Sequence, residues 1–304
     1  MLNIVKKEEP SKKRELATRL LAVVAALGAT AIIMVFLGLN PFEVYAKMIE
    51  GATGTAYRFQ ETINKTIPLV ILSLGIAVAF KMKFWNIGAE GQFYMGAFGA
   101  AWVAFSFPEA PALLLIPMML LAGFLCGGLW AMIPALLKAK WHTSETLVTL
   151  MMNYIATTWI TYLQYGPWKD PKGGGFPRMP YFSDNAVLPE VFGIHIGWII
   201  ALLLVGVVYV LFKQSKLGYE IAVVGESDTT ARYAGMSPTK VMLIAILISG
   251  GLCGIAGTVQ ASGIEHSLTN QLSGGLGFTA IITTWLSKLS APAIVIVSLL
   301  FAIL

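Results

Sequence analysis

The 304-residue chain is 57% hydrophobic and 12% charged, with a mean hydropathy of +0.73, whereas a soluble domain carries charge on roughly a quarter of its residues. A water-soluble globule is excluded, and because apolar runs tile nearly the whole length, a single membrane domain over residues 1–304 is expected where length alone would suggest about two domains. The formal net charge of +5 calls for no nucleic acid, since the basic residues are spread among loops that would face an anionic leaflet.

A spanning helix needs roughly 20 mainly apolar residues to cross about 30 Å of hydrocarbon. Residues 1–19 form a charged tail with Lys6, Lys7, Glu8, Glu9, Lys12, Lys13 and Arg14. The apolar run 20–39 behind it is too long for a secretory signal and lacks the small-residue cleavage site, so it is expected to remain as an anchor. Further spans are predicted at 66–80, which is short; at 84–107, which contains Glu90; and at 110–137 and 146–165, both free of Asp, Glu, Lys and Arg. The segment 166–190 is rich in Pro, Gly and aromatics, a composition of turns, and is predicted to be the main external loop. Spans follow at 191–212, interrupted by His195, and at 241–264, separated by the connection 213–240; two more are predicted at 267–287 and 289–304. The expectation is an all-α polytopic bundle of about nine spans. An N-terminus on the cytoplasmic side leaves Lys47, Arg58, Lys65, Lys169, Lys172 and Arg178 outside and the other fifteen of the 21 basic residues inside, as the positive-inside rule requires.

The stretch Trp85-Asn86-Ile87-Gly88-Ala89-Glu90-Gly91-Gln92 places an acid and two amides in an otherwise apolar run. Buried polar groups at membrane depth are costly and face a cavity or a partner. At helical spacing Asn86 and Glu90 share a face, and Glu90 falls on the order of 10 Å inside. Two readings stay open: an acid favoured by a helix N-terminus and bonded to neighbouring helices, or direct contact with a solute. In His142-Thr143-Ser144-Glu145, Ser144 can cap a helix beginning at the cytoplasmic surface, and Asn153, about two turns in, is interhelical glue or a solute ligand. In the connection 213–240, Ser227 or Asp228 can cap a short helix, Gly235 can end it in the left-handed conformation, and Ser237-Pro238 can start the next span; it is either a solvated connector or a rigid knob for a cytoplasmic partner. Cys126 and Cys253 fall inside predicted spans and read as packing residues, and His142, His195 and His266 show no ligand spacing, so neither a disulfide framework nor a metal site is expected.

At these places the chain resembles the permease subunits of ATP-binding-cassette importers, in the group that includes ribose, branched-chain amino acid and nucleoside permeases. Residues 84–96 (FWNIGAEGQFYMG) resemble the "NIGAEGQ" signature of the nucleoside and simple-sugar branch, and residues 144–156 (SETLVTLMMNYIA) its "NEVISTIMLNYIA". Residues 217–235 and 249–257 resemble the coupling loop and the Gly-rich helix after it, and 274–278 (GGLGF) the "GYGF" region. The chain departs at Ala222-Val223-Val224-Gly225, where the pattern often reads "RAVG", and at Ser144, which stands for a common Asn. The resemblance implies a nucleoside or simple-sugar permease in a bacterial-type cytoplasmic membrane. Asn86, Glu90, Gln92 and Asn153 are candidates for the translocation path, and Gly218, Gly225, Glu226, Asp228, Ala231 and Gly235 for coupling to the ATPase. It also implies a cytoplasmic ATPase, a second permease subunit (a homo- or heterodimer) and an extracytoplasmic substrate-binding lipoprotein as partners. The family's usual ten or so helices make a further helix beyond Leu304 an expectation.

No GxxxxGK[ST] phosphate-binding loop occurs, so no cofactor is expected on this chain, ATP being used by the partner, and the chain itself is not expected to be an enzyme. The alternative is a secondary transporter driven by an ion gradient, which would need acids or bases inside the membrane; Glu90 is the one acid well inside a predicted span.

Overall fold

The computed structural model describes residues 12–172 and 174–304; the predicted tail through residue 11, with Lys6, Lys7, Glu8 and Glu9, lies outside them. Helix α1 (Lys12–Phe36) holds the first predicted span. It is followed by α2 (Pro41–Thr53), turned by 117° at a short break where Asn40 accepts from the Phe42 N–H and Pro41 opens the helix, a position where its missing N–H costs nothing. The region 40–65, read as an external connection, is therefore largely helical.

Helix α3 (Ala56–Lys81) starts at a Thr55 cap, ten residues before the apolar run begins. Its polar first turns carry Arg58, Glu61 and Lys65, and residues 66–80 are buried on every side. A helix apolar all round belongs inside a bundle, and the run that looked short from hydropathy is one of the most enclosed elements.

Next come α4 (Ala89–Ser106), α5 (Ala112–Trp141) and α6 (Glu145–Tyr165). The predicted span 84–107 begins helically only at Ala89, because Lys83 adopts a left-handed φ of 58° and residues 84–88 form an irregular turn. Likewise, the predicted span 191–212 gives its first residues to a small antiparallel hairpin, β1 (Glu190–Val191) with β2 (Ile194–His195), in which Glu190 pairs with His195. The helix proper, α7, is Gly197–Gln214. The connection 213–240 folds as α8 (Lys216–Glu226) and α9 (Asp228–Tyr233). Helix α10 (Pro238–Gln260) continues as a single π turn, Ala261–Glu265, before α11 (Leu276–Leu286) and α12 (Ala291–Ile303).

Helix α10 is the axis of the bundle, with α3, α4 and α5 packed around it; α6 lies on α4, and α7, α11 and α12 lie on α3. Glycines set these distances. A Cβ on Gly254 of α10 would run into the Gly123 carbonyl of α5, and one on Gly127 would lie 2.5 Å from the Gly250 oxygen. Without a hydrophobic drive between helices in lipid, such close backbone approach is the main source of association.

Among the described residues four helices are long and apolar enough to cross a membrane (α3, α5, α7 and α10 with its π turn), or five if α1 and α2 count as one bent span. Helices α4 and α6 have the length, at 18 and 21 residues, but carry buried polar side chains. The predicted span 267–287 is helical only over the 11 residues of α11, about 17 Å, which does not cross about 30 Å of hydrocarbon alone; α12 covers 13 residues of the predicted span 289–304.

Candidate functional site

The irregular turn 84–88 is the point where three distant segments meet. Asn86 and Gln92 form a reciprocal amide pair: Asn86 Nδ2 donates to Gln92 Oε1 at 3.0 Å, and Gln92 Nε2 donates to Asn86 Oδ1 at 2.8 Å. Asn86 Nδ2 also donates to Ser249 Oγ of α10 at 3.2 Å, and Asn86 Oδ1 accepts from the Gly88 N–H at 3.1 Å. Both amides are sealed from solvent, Asn86 at 0% and Gln92 at 1% exposure.

Asn153 of α6 completes the start of α4. Its Oδ1 accepts from the Gly91 N–H at 2.8 Å and its Nδ2 donates to the Ile87 carbonyl at 2.9 Å. Ile87 belongs to the irregular turn and Gly91 to the first turn of α4, so the Asn153 amide bridges the turn to the start of the helix. Thr149, one turn before Asn153, accepts from the Ile87 N–H at 3.3 Å. First-turn N–H groups have no partner within their own helix, and α6 supplies it.

Glu90, in the first turn of α4, points the other way. Its Oε2 accepts from the Gly277 N–H at 2.8 Å, at the start of α11, so the carboxylate lies against the N-terminal ends of two helices, where negative charge is favoured. Gly277 is needed there, because a Cβ would sit 2.6 Å from both Glu90 Oε2 and its backbone nitrogen. The four residues singled out as path candidates are thus buried around the start of α4 within this one chain: Asn86 and Gln92 bond each other and the middle of α10 through Ser249, while Asn153 and Glu90 bond backbone groups at the starts of α4 and α11. Of the two readings open for Glu90 and Asn153, this geometry supports the interhelical one.

The coupling candidates gather at the C-terminal end of α3, next in the chain to the turn that holds Asn86. Ser227 rather than Asp228 caps α9, accepting from the Thr230 N–H at 3.2 Å, and Gly235 has the left-handed φ of 76° expected of a helix stop. Ala231 faces inward at 0% exposure while Asp228, Arg232 and Tyr233 are exposed. Gly225 is wedged against the end of α3, where a Cβ would meet the Lys81 oxygen at 2.5 Å, and Gly218 is pressed against the end of α7, where a Cβ would run into the Leu211 carbonyl. Glu226 pairs with Lys83 at 3.3 Å on the surface, worth at most about 1 kcal/mol. Gly225, next to last in α8 and three residues before α9 begins, thus rests on residues 81–82, just before the turn that holds Asn86.

The segment 59–304 matches the family described as the branched-chain amino acid transport system permease component. The chain belongs to that family. It is 33% identical to the glucose ABC transporter permease protein of Haloferax volcanii over 94% of this chain and 78% of that one. It is 32% identical to the guanosine ABC transporter permease protein of Bacillus subtilis (92% and 82%) and 30% identical to the nucleoside ABC transporter permease protein of Lactococcus lactis (97% and 84%). No solved structure matches.

Several neighbours of the node in this permease were not singled out by the sequence. Thr149, Ser249 and Gly277 complete the polar node and lie in the motif-like segments 144–156, 249–257 and 274–278, but each reads alone as an ordinary small residue of an apolar run. The loop 166–190 is also more tightly held than its turn-rich composition suggests: Gln164 Nε2 donates to the Pro177 carbonyl at 2.7 Å while its Oε1 accepts from the Asn270 N–H at 2.9 Å. The loop's Phe182 and Leu188 N–H groups bond the carbonyls of His266 and Ser262.

Proposed function

We propose that the chain is the membrane-spanning permease subunit of an ATP-binding-cassette importer that carries a nucleoside or simple sugar across the cytoplasmic membrane of a bacterial-type cell. The solute class rests on the three relatives, whose names specify glucose, guanosine and nucleoside. The observation that carries the mechanism is the seating of Gly225 against residues 81–82, which gives an exposed cytoplasmic helix a rigid route into the bundle.

A cytoplasmic ATPase grips α9 and hydrolyses ATP, for which this chain has no phosphate-binding loop. A second permease subunit, identical or paralogous, forms the other half of the path, and an extracytoplasmic binding lipoprotein delivers solute at the loop 166–190. Closure of the ATPases displaces α9, and α3 and the Asn86 turn switch the path between outward and inward access.

The test is labelled nucleoside and sugar uptake by the complete importer. Uptake should stop on ATP depletion and survive collapse of ion gradients; the reverse pattern would establish a gradient-driven carrier. Gly225→Leu should abolish ATP-driven uptake while the permease still assembles with its ATPase, and wild-type uptake by that variant would refute the coupling route.

A further inference from the structure

Most membrane-level surface of this chain is aliphatic. The exposed side chains of α5 include Leu121, Leu125, Leu129 and Ile133, and those of α7 include Leu202, Leu203 and Val207, as a lipid-facing surface requires. Helix α6 differs. Its outward face presents Tyr154 at 63% exposure, Trp159 at 40% and Tyr162 at 59%, with Thr158 exposed between them. None of the three hydroxyls of Tyr154, Thr158 and Tyr162 has a partner among the described residues, whereas those of Thr149, Thr157 and Thr161 on the same helix are bonded within the chain.

Tyrosines gather at membrane interfaces, but Tyr154 is the tenth residue of a 21-residue helix, about 15 Å from its cytoplasmic start and the same from its outer end. A hydroxyl at that depth against lipid tails has nothing to bond, and such groups face a partner or a wet cavity. The face is open and shallow, formed by Tyr154, Ile155, Thr158, Trp159 and Tyr162 of this one helix.

A second observation leads to the same face from outside. Trp168 of the external loop stacks on Phe98 of α4 (centroids 5.3 Å, 20° between planes), Phe98 meets Trp159 edge-on at 6.0 Å, and Trp159 lies 5.7 Å from Tyr162. This is a continuous aromatic row from the outer loop into the outer half of α6, where Trp159 and Tyr162 lie six and three residues before the helix ends. Beyond Glu145 no residue of α6 is charged.

We propose that the Tyr154, Thr158, Trp159 and Tyr162 face of α6 is the solute-contacting wall of the translocation path. A neutral solute with a planar or flat apolar ring face, a nucleobase or a pyranose, stacks on Trp159 and the tyrosine rings while the free hydroxyls bond its polar edge. The uncharged wall disfavours a zwitterionic amino acid, which would leave two charges unpaired. This inference rests on the solute-permease reading above and assigns its recognition surface.

The complete importer in proteoliposomes provides the test. Stacking of a base on an aromatic ring contributes about 1–3 kcal/mol, so Trp159→Ala should raise the KM for nucleoside or sugar uptake about five-fold or more, while Leu203→Ala on the aliphatic face leaves it unchanged. In a background lacking Cys126 and Cys253, Thr158→Cys should react with a water-soluble, membrane-impermeant maleimide and Leu129→Cys should not. A wild-type importer that moves neither nucleosides nor sugars overturns the functional reading itself. Active uptake with an unchanged KM in Trp159→Ala, or with Thr158→Cys protected or cross-linked dry to a second copy, overturns this wall alone.

Discussion

Replacement of Asn153 by leucine isolates the polar node. The leucine keeps the volume but removes two hydrogen bonds, from the Gly91 N–H at 2.8 Å and to the Ile87 carbonyl at 2.9 Å. Interhelical hydrogen bonds in membrane proteins average about 0.6 kcal/mol, which sets a floor of about 1 kcal/mol for the pair. Both backbone groups are then orphaned in the interior, and each unsatisfied group costs roughly 1–3 kcal/mol, so a loss of about 2–4 kcal/mol is expected. Equilibrium unfolding of the purified permease in mixed micelles measures it, and solute KM in the assembled importer supplies the second axis. A node that only positions helices predicts lower stability with an unchanged KM in the molecules that remain folded. Stability within about 0.5 kcal/mol of wild type would mean that Gly91 and Ile87 are satisfied otherwise and that Asn153 is dispensable. A raised KM at unchanged stability would mean that the amide touches solute, and the positioning role would be refuted.

Glu90→Gln keeps an acceptor for the Gly277 N–H and should retain ATP-driven uptake, whereas Glu90→Leu should lose about 1–3 kcal/mol of stability by the same unfolding assay; a folded but inactive Glu90→Gln would show that the charge takes part in transport. Gly254→Leu should prevent α10 from seating against Gly123 and Gly127, costing about 3 kcal/mol or more and read as loss of monodisperse protein in detergent. His195, in the hairpin before α7, accepts the Gly197 N–H on Nδ1 at 3.2 Å, and burial, reinforced by His266, lowers its pKa from 6.5 to about 4. The folded chain therefore excludes a proton that the unfolded chain binds. Stability is full above pH about 6.5 and falls toward pH 4 by up to about 3 kcal/mol, and His195→Phe should flatten that part of a thermal-melt pH profile.

The membrane class, the α1, α5, α6 and α10 segments and the short capped helix of the coupling region were all legible in the chain, because each is a local property. Hydropathy over about 20 residues reports a solvent, and Ser144, Ser227, Gly235 and Pro238 act on bonds within a few positions of themselves. The exceptions were local too: a left-handed Lys83 delayed α4 to Ala89, and a two-residue hairpin shortened the apolar run before α7.

Only the tertiary structure decided what the polar residues do. Asn86, Glu90, Gln92 and Asn153 were visible as polar groups in oily segments, but polarity at membrane depth says that a partner exists and not which one. Asn86 and Gln92 find each other six residues apart, but the partners across helices lie 62 to 187 residues away, as in Gly91 with Asn153 and Glu90 with Gly277, and helix packing brings these within 3 Å. The exposed hydroxyls of α6 are the converse case: Tyr154 and Asn153 are neighbours in sequence and both polar, and the roughly 100° between successive helical residues separates a side chain spent on the bundle from one left open outside it.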